Sequence, residues 1–161
     1  MNHKGLLGII GVIGGILMIF SAFHVWVEIE LWDYTLLDIT GIEIFREWTD
    51  IIDMKYAILP VFTIVCGFVV IIMMAVTILD DNERYRKLNI ALGFATIVLS
   101  IVVIIYSILF VNKTWDFWGW TIHLSDYLAI GFWISMVGSV ASLLGGFVPL
   151  FRNKRYINDE L

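Results

Sequence analysis

The sequence predicts an all-α transmembrane protein, an up-down, left-handed four-helix bundle with a small extracellular antiparallel β-sheet. The chain of 161 residues is 60% hydrophobic and 16% charged, and its mean hydropathy is +0.91. It contains four apolar segments of membrane-spanning length, and apolar and acidic residues alternate in the loop after the first of them. Soluble domains are about half apolar and a quarter charged. The composition therefore excludes a soluble enzyme and a disordered chain, and a single cysteine excludes a disulfide-rich scaffold.

The four apolar segments cover about residues 5–27, 57–79, 88–111 and 127–151, and none contains Asp, Glu, Lys or Arg. At about 1.5 Å rise per residue each is roughly 35 Å long, enough to cross a hydrocarbon core of about 30 Å. Lipid cannot satisfy exposed backbone donors, so the segments must be helices. We predict that residues 1–161 form a single integral membrane domain.

Basic residues predict the orientation of the bundle. Residues 28–56 and 112–126 carry three Lys and Arg, whereas the N-terminal end, the 80–87 loop and the 152–161 tail carry seven. The positive-inside rule places both termini in the cytoplasm of a multi-pass protein of the cell membrane. All seven tryptophans fall on the outer half, which predicts an aromatic extracellular cap. Interfacial anchoring accounts for Trp26, Trp115 and Trp133 and fits Trp32 and Trp48 less well.

Small residues recur at helical spacing in the first and last segments, whereas the two middle segments are rich in large apolar residues. Small residues allow helix backbones to approach closely in a bilayer. We expect the first and last helices to pack directly against each other; the alternative is that one stripe forms a homodimer face. The predicted packing residues are Gly8, Gly11, Gly15, Gly131, Ser135, Gly138, Ser142 and Gly145.

Period-two alternation predicts strands in the outer loops. In the first loop the strands cover residues 27–31, 37–40 and 42–44, with Gly41 as a turn or bulge, and in the second loop they cover residues 120–124. Thr49 or Asp50 is a candidate cap for a helix that runs into the second span. We expect one antiparallel sheet whose apolar face rests on the helices.

This arrangement of four spans, a long strand-rich first outer loop and a Gly/Ser-rich last helix resembles the claudin and peripheral-myelin-protein superfamily. Trp32 and Trp48 have nearly the spacing of two tryptophans in that family's first loop. The family has Gly-Leu before the second tryptophan and two cysteines after it; here Arg46-Glu47 precedes Trp48 and no cysteine follows. The pattern also resembles uncharacterised prokaryotic four-span proteins, through residues 131–133 and 145–146. Neither resemblance assigns a function to an individual residue.

Metal-ligating side chains are sparse and lack the spacing of a known site. His24 and Glu28 are four residues apart, so they share a face if the first helix continues through them. Their weak partners in the second loop are His123 and Asp126. We expect solvated acids and hydrogen-bonded histidines, no specific metal and no cofactor. The alternatives are a cation site that combines these residues with cap carboxylates, and a layer of loosely bound divalent cations on the acidic cap.

Catalytic and translocating chemistry lacks a sequence signature. Transporters need ionisable groups within the membrane, and the four segments have no such Asp, Glu, Lys or Arg. Ser125, Asp126 and His123 are neighbours in sequence without the arrangement of a catalytic triad. A net charge of −5 provides no basic surface for nucleic acid. We therefore expect a protein that is not an enzyme.

The leading functional hypothesis is a membrane protein whose acidic, aromatic cap mediates protein contact in adhesion, assembly or scaffolding, with the bilayer and a protein partner or a second copy as its contacts. One alternative is an accessory subunit of a membrane enzyme or transport complex, and another is an oligomeric cation-conducting pore. Aromatic residues dominate interface hot spots, and those chosen for contact are Trp32, Tyr34, Trp48, Trp115, Trp118 and Trp120.

Overall fold

The computed structural model describes residues 3–31, 34–47, 54–79, 86–117 and 120–150. The helices in these ranges are α1 (His3–Ser21), α2 (Gly41–Glu47), α3 (Met54–Ala57), α4 (Leu59–Leu79), α5 (Arg86–Val111) and α6 (Ile130–Gly146). The strands are β1 (Val25–Leu31), β2 (Tyr34–Thr40), β3 (Thr114–Phe117) and β4 (Trp120–His123), and a 3₁₀ helix covers Leu124–Tyr127.

Four long helices pack side by side in the order α1, α4, α5, α6, and α6 closes the ring against α1. Three helical stretches, Leu59–Leu79, Lys87–Val111 and Ile130–Leu150, are long and apolar enough to cross a membrane, and α1 contributes a shorter apolar stretch, Leu6–Ser21. The described chain is thus mostly helical and has the helix lengths and composition of a membrane protein.

The first helix ends earlier than predicted, at Ser21 instead of residue 27. The Ser21 carbonyl oxygen accepts hydrogen bonds from the indole Nε1 of Trp26 at 2.7 Å and from the backbone N–H of His24 at 3.1 Å. A turn follows over residues 22–24, and the β-branched Val25 and Val27 then enter strand β1. The last helix likewise begins at Ile130 instead of residue 127, because the 3₁₀ turn precedes it.

The outer loops form two antiparallel hairpins instead of the single predicted sheet. β1 pairs with β2, and β3 pairs with β4. The other edge of β1 meets the chain segment before α6: Val27 forms an isolated bridge with Leu128, and Ala129 N–H donates to the Trp26 carbonyl at 2.9 Å. This segment occupies the edge on which a further strand would have paired with β1.

The predicted strand over residues 42–44 is wrong, because these residues lie in helix α2. Thr40 and Glu43 form a reciprocal capping box at its start. The Glu43 Oε2 accepts from Thr40 N–H at 2.8 Å and from Thr40 Oγ1 at 2.9 Å, and Glu43 N–H donates to Thr40 Oγ1 at 3.3 Å. Such a box satisfies donors at the open end of a helix. Gly41 is the first residue of α2 instead of a strand turn, and the candidate caps Thr49 and Asp50 lie outside the described residues.

Direct packing of α1 against α6 is confirmed, and it is the most extensive helix pairing in the described chain. A Cβ added at Gly14 would lie 2.6 Å from Gly138 O and 2.5 Å from Ser142 N, and Gly11 lies against Gly145. Such spacing leaves no room for a methyl group, so the backbones are in direct contact.

Two of the predicted packing glycines of α1 lie in a helix contact, but with a different helix from the one expected. Gly8 and Gly15 face α4, where they meet Ile78 and the Gly67 carbonyl. Gly14 faces α6, and Gly11 lies between the two faces because it meets both Gly145 of α6 and Met74 of α4, so α1 has a close-packed face toward each neighbour. Gly131 also lies outside the helix pair, because its neighbours are Trp26 and Val25.

Candidate functional site: the cap and its junction with the helices

The two hairpins and α2 form a cap at one end of the helices, and a buried apolar cluster, here called the junction, attaches it. The apolar residues of β1 and β2 contribute to this cluster together with the ends of α4, α5 and α6. Burial of apolar side chains is the main favourable term in such packing. The buried junction residues are Trp26, Val27, Ile39, Ile44, Ala57, Leu59, Phe110, Leu124 and Phe132.

Trp26 lies at the centre of the junction with 0% of its surface exposed. Its ring meets Phe110 and Phe132 edge-on, each at 5.9 Å between centroids, and those two rings stack on each other at 6.4 Å. Edge-to-face contacts of this kind add to the energy of burial. The expectation that Trp26 is an interfacial anchor is therefore wrong. Trp133, by contrast, is 56% exposed.

A second contact holds the start of the β3–β4 hairpin. The Lys113 ammonium lies 4.7 Å from the ring centroid of Tyr56, and the Tyr56 ring stacks on Tyr106 of α5 at 6.3 Å. Leu124 N–H also donates to the Lys113 carbonyl at 3.1 Å. A cation over an aromatic ring is attracted by the ring's quadrupole, so this pairing links the chain after α5 to the chain before α4.

The aromatic residues chosen for contact divide between two hairpins and the undescribed ranges. Tyr34 is the first residue of β2, Trp115 lies in β3 opposite Ile122, and Trp120 begins β4 opposite Phe117. Trp32, Trp48 and Trp118 lie outside the described residues. Three of the six residues therefore lie in the cap, and their role in contact stays a prediction.

Carboxylates give the cap its charge. Asp38, Glu47 and Asp126 are exposed, and Asp38 lies directly opposite Glu28 in the β1–β2 pair, an arrangement in which like charges repel. Glu43 differs from the others because the Thr40 backbone N–H and hydroxyl both stabilise its anion. These hydrogen bonds hold the pKa of Glu43 below its usual value.

The four weak metal candidates lie in different elements of the structure. His24 lies in the turn after α1, where its Nδ1 is 3.1 Å from Phe20 O, and Glu28 lies in β1, so the two do not share a helical face. His123 ends β4, and Asp126 accepts a hydrogen bond from Ser125 Oγ at 3.0 Å. Within the described ranges no three His, Cys, Asp or Glu side chains lie close enough to hold a metal ion.

The helix packing below the cap is apolar with scattered hydroxyls. Most buried Ser and Thr side chains donate to the carbonyl of the preceding helical turn, as Ser100 does to Thr96 and Ser139 to Ser135. An open groove between α1 and α6 is lined by apolar side chains alone, namely Ile10, Trp133, Met136, Val137, Val140, Ala141 and Leu144. The groove therefore has no acid, base or nucleophile for catalysis.

No family model, curated protein or solved structure matches the chain. The resemblance to claudins and to prokaryotic four-span proteins therefore stays a prediction from sequence architecture.

Phe110 and Phe132 are site residues that the sequence analysis missed. Each stands close to the cap end of its helix, Phe110 at the end of α5 and Phe132 at the start of α6. Consecutive antiparallel helices bring such positions to the same level, and this was the available signal for an aromatic contact between them.

Proposed function

We propose that the chain is a non-enzymatic four-span membrane protein whose acidic, aromatic cap makes contact with another protein. The observation that supports this most directly is the junction around Trp26, which attaches the cap to the helices. A preorganised surface loses less conformational entropy on binding than a flexible loop. The cap thus has the physical properties of a docking surface.

The packing of α1 supports a fourth span. At about 1.5 Å per residue, the 19 residues of α1 extend about 28 Å, close to the thickness of a hydrocarbon core. α1 lies beside α4 and α6 along its length, from the contact of Gly8 with Ile78 to that of Gly15 with Gly67. Its outward residues are also large and apolar, namely Leu6, Ile9, Ile13, Ile16 and Phe20.

The distribution of charge supports an extracellular cap. Both hairpins lie at the end of the helices where α1 finishes, and the exposed Lys87 lies at the start of α5, at the opposite end. Arg84 precedes α5 in the sequence and Arg86 is its first residue, and connections that carry such basic residues remain in the cytoplasm. We therefore propose that the acidic hairpins lie outside the cell, as the resemblance to claudins implies.

A contact role fits the side chains better than catalysis or transport does. The long helices lack internal Asp, Glu, Lys and Arg, which ion-coupled transport requires. The cap instead combines exposed carboxylates with a high density of aromatic residues, and aromatic residues supply most hot spots of protein interfaces.

Site-specific photocrosslinking in native membranes tests the proposal. A benzophenone side chain at Thr35, an exposed position in β2, is expected to capture one defined species, either a second copy or a single partner. The matched control is the same group at Lys87, exposed at the other end of the helices, where that species is not expected. Recovery of monomer alone from both positions would exclude a contact role for this face of the cap.

The captured species separates the alternatives. Capture of a partner that carries a cofactor or a transport pathway supports the accessory-subunit hypothesis. Capture of copies alone, together with cation conductance of the purified protein in liposomes, supports the pore. Capture of copies or of one partner without conductance supports adhesion, assembly or scaffolding.

A further inference from the structure

Two buried hydroxyls between α5 and α6 differ from the other hydroxyls in the helix packing. Ser107 and Ser135 are both 0% exposed, and neither Oγ has a hydrogen-bond partner in the described chain. Seven other buried Ser and Thr hydroxyls donate to a carbonyl oxygen or, in Ser142, to a methionine sulfur: Ser21, Thr63, Thr77, Thr96, Ser100, Ser139 and Ser142.

The register of the two helices places these serines at one level. Phe110 stacks on Phe132 near the cap, and Gly93 lies against Pro149 near the other end. α5 and α6 are antiparallel, so the residue one turn before Phe110 on α5 lies at the same level as the residue one turn after Phe132 on α6. Ser107 and Ser135 occupy that layer, directly below the aromatic cluster that includes Trp26.

Burial of a hydroxyl without a partner is unfavourable, since the group loses its hydration and gains nothing in return. Native proteins satisfy such groups with ordered water where two to four polar atoms converge. The carbonyl oxygens of Val103 and Gly131, one turn earlier on the two helices, retain a second lone pair. They add two acceptors to the two hydroxyls.

We propose that Ser107 and Ser135 bind one internal water molecule between α5 and α6. The site accepts a guest of water size that both donates and accepts hydrogen bonds, and the rings of Trp26, Phe110 and Phe132 separate it from the cap. The proposal depends on the helix packing and is independent of the contact role proposed for the cap.

A double-mutant cycle on the full chain in detergent tests the site. Ser107→Ala and Ser135→Ala are each expected to lower the thermal midpoint, because each removes a ligand of the water. The double variant is expected to lower it no further than the more damaging single change. Ser100→Ala and Ser139→Ala are matched controls, because their hydroxyls bond within their own helices; their effects are expected to be small and additive.

The cycle has outcomes that overturn the proposal. If either change at Ser107 or Ser135 raises the midpoint, the hydroxyl is unpaired in the protein and its loss is favourable. If the two effects match the controls and add, each hydroxyl bonds its own helix and no guest connects them.

X-ray hydroxyl-radical footprinting of the unaltered chain distinguishes a bound water from a direct bond between the serines. Radicals formed from an internal water modify the side chains beside it, so labelling is expected on Phe110 and Phe132 despite their burial. This labelling should disappear in the double variant and persist in Ser100→Ala. If the two substitutions are coupled but no labelling is seen, the serines bond each other directly and the proposed water is wrong.

Discussion

The indole Nε1 of Trp26 donates a hydrogen bond to the carbonyl oxygen of Ser21, at 2.7 Å, in a fully buried setting. Ser21 is the last residue of α1, so its carbonyl has no partner from a continuing helix. The tryptophan thus satisfies the end of the helix while its ring fills the junction below the hairpin. One side chain thereby connects the end of α1 to the junction.

Replacement of Trp26 is therefore expected to loosen the cap. We predict that Trp26→Ala costs about 3–5 kcal/mol of unfolding free energy, typical of a large aromatic cavity. Trp26→Phe keeps most of the burial and removes one of the two hydrogen bonds to the Ser21 carbonyl, which still accepts from His24 N–H, at a cost of about 0.5–1.5 kcal/mol. Chemical unfolding in non-ionic micelles, followed by near-UV circular dichroism, measures both.

Trp133→Phe is the matched control for Trp26, since this tryptophan is 56% exposed and its loss creates no buried cavity. We expect a change within about 0.5 kcal/mol, as for most surface substitutions. Equal losses at the two tryptophans would contradict the central place of Trp26.

The capping box at α2 predicts a pH effect of defined sign. The pKa of Glu43 is lowered by its bonds to Thr40, so this stabilisation is fully present above the unfolded pKa of about 4.3. It is lost as the pH falls through the lower folded value. We expect Glu43→Gln to reduce the difference in unfolding free energy between pH 7 and pH 3. Glu47→Gln is the matched control, because it removes an exposed carboxylate of the same helix and leaves the capping box intact.

Thr40→Ala removes the other half of the box, and a lost N-cap costs about 1 kcal/mol. Amide hydrogen exchange of Glu43, whose N–H loses its acceptor Thr40 Oγ1, should accelerate in this variant at equal pH, whereas Ile42 N–H keeps its bond to the Ala22 carbonyl. Unchanged exchange would mean that the hydrophobic contacts of Ile44 hold α2 without the cap.

The long helices and the packing of α1 against α6 could be predicted from the sequence. The length of the apolar segments and the spacing of their small residues are direct consequences of a lipid environment. The strand at residues 120–123 could be predicted as well. The helix α2 was predicted as a strand, because Ile42-Glu43-Ile44 alternates between apolar and polar residues as a strand does. The Thr40-x-x-Glu43 capping pattern, which marks the start of a helix, overlaps this segment. The pattern could not show which helix each glycine contacts: Gly8 meets Ile78 of α4, whereas Gly11, three residues later, meets both Gly145 of α6 and Met74 of α4.

Close packing of α1 on α6 makes Gly14 intolerant of a methyl group. A Cβ there would lie 2.6 Å from the backbone oxygen of Gly138, which cannot move without displacing a helix. We expect Gly14→Ala to cost about 1–3 kcal/mol, although alanine is the better helix former. The reversible unfolding midpoint in sodium dodecyl sulfate measures the loss.

Ala91→Val supplies the control for Gly14→Ala, because it adds methyl groups to an exposed position of α5. Its effect is expected to stay within about 0.5 kcal/mol, apart from a small loss of helix propensity. A Gly14→Ala protein as stable as this control would show that the two helices separate easily.

The proposed orientation leads to an accessibility prediction that requires no knowledge of the partner. Cys66 is buried and is the only cysteine, so Cys66→Ala provides a background without thiols. In that background Thr35→Cys, in the cap, should react with a membrane-impermeant maleimide on intact cells. Lys87→Cys should react only after the cells are permeabilised. The two positions are both exposed and lie at opposite ends of the helices, so the reverse pattern would invert the protein in the membrane. Equal labelling of both positions on intact cells would exclude the four-span arrangement. In that arrangement one span, α4, lies between positions 35 and 87 and puts them on opposite sides of the membrane.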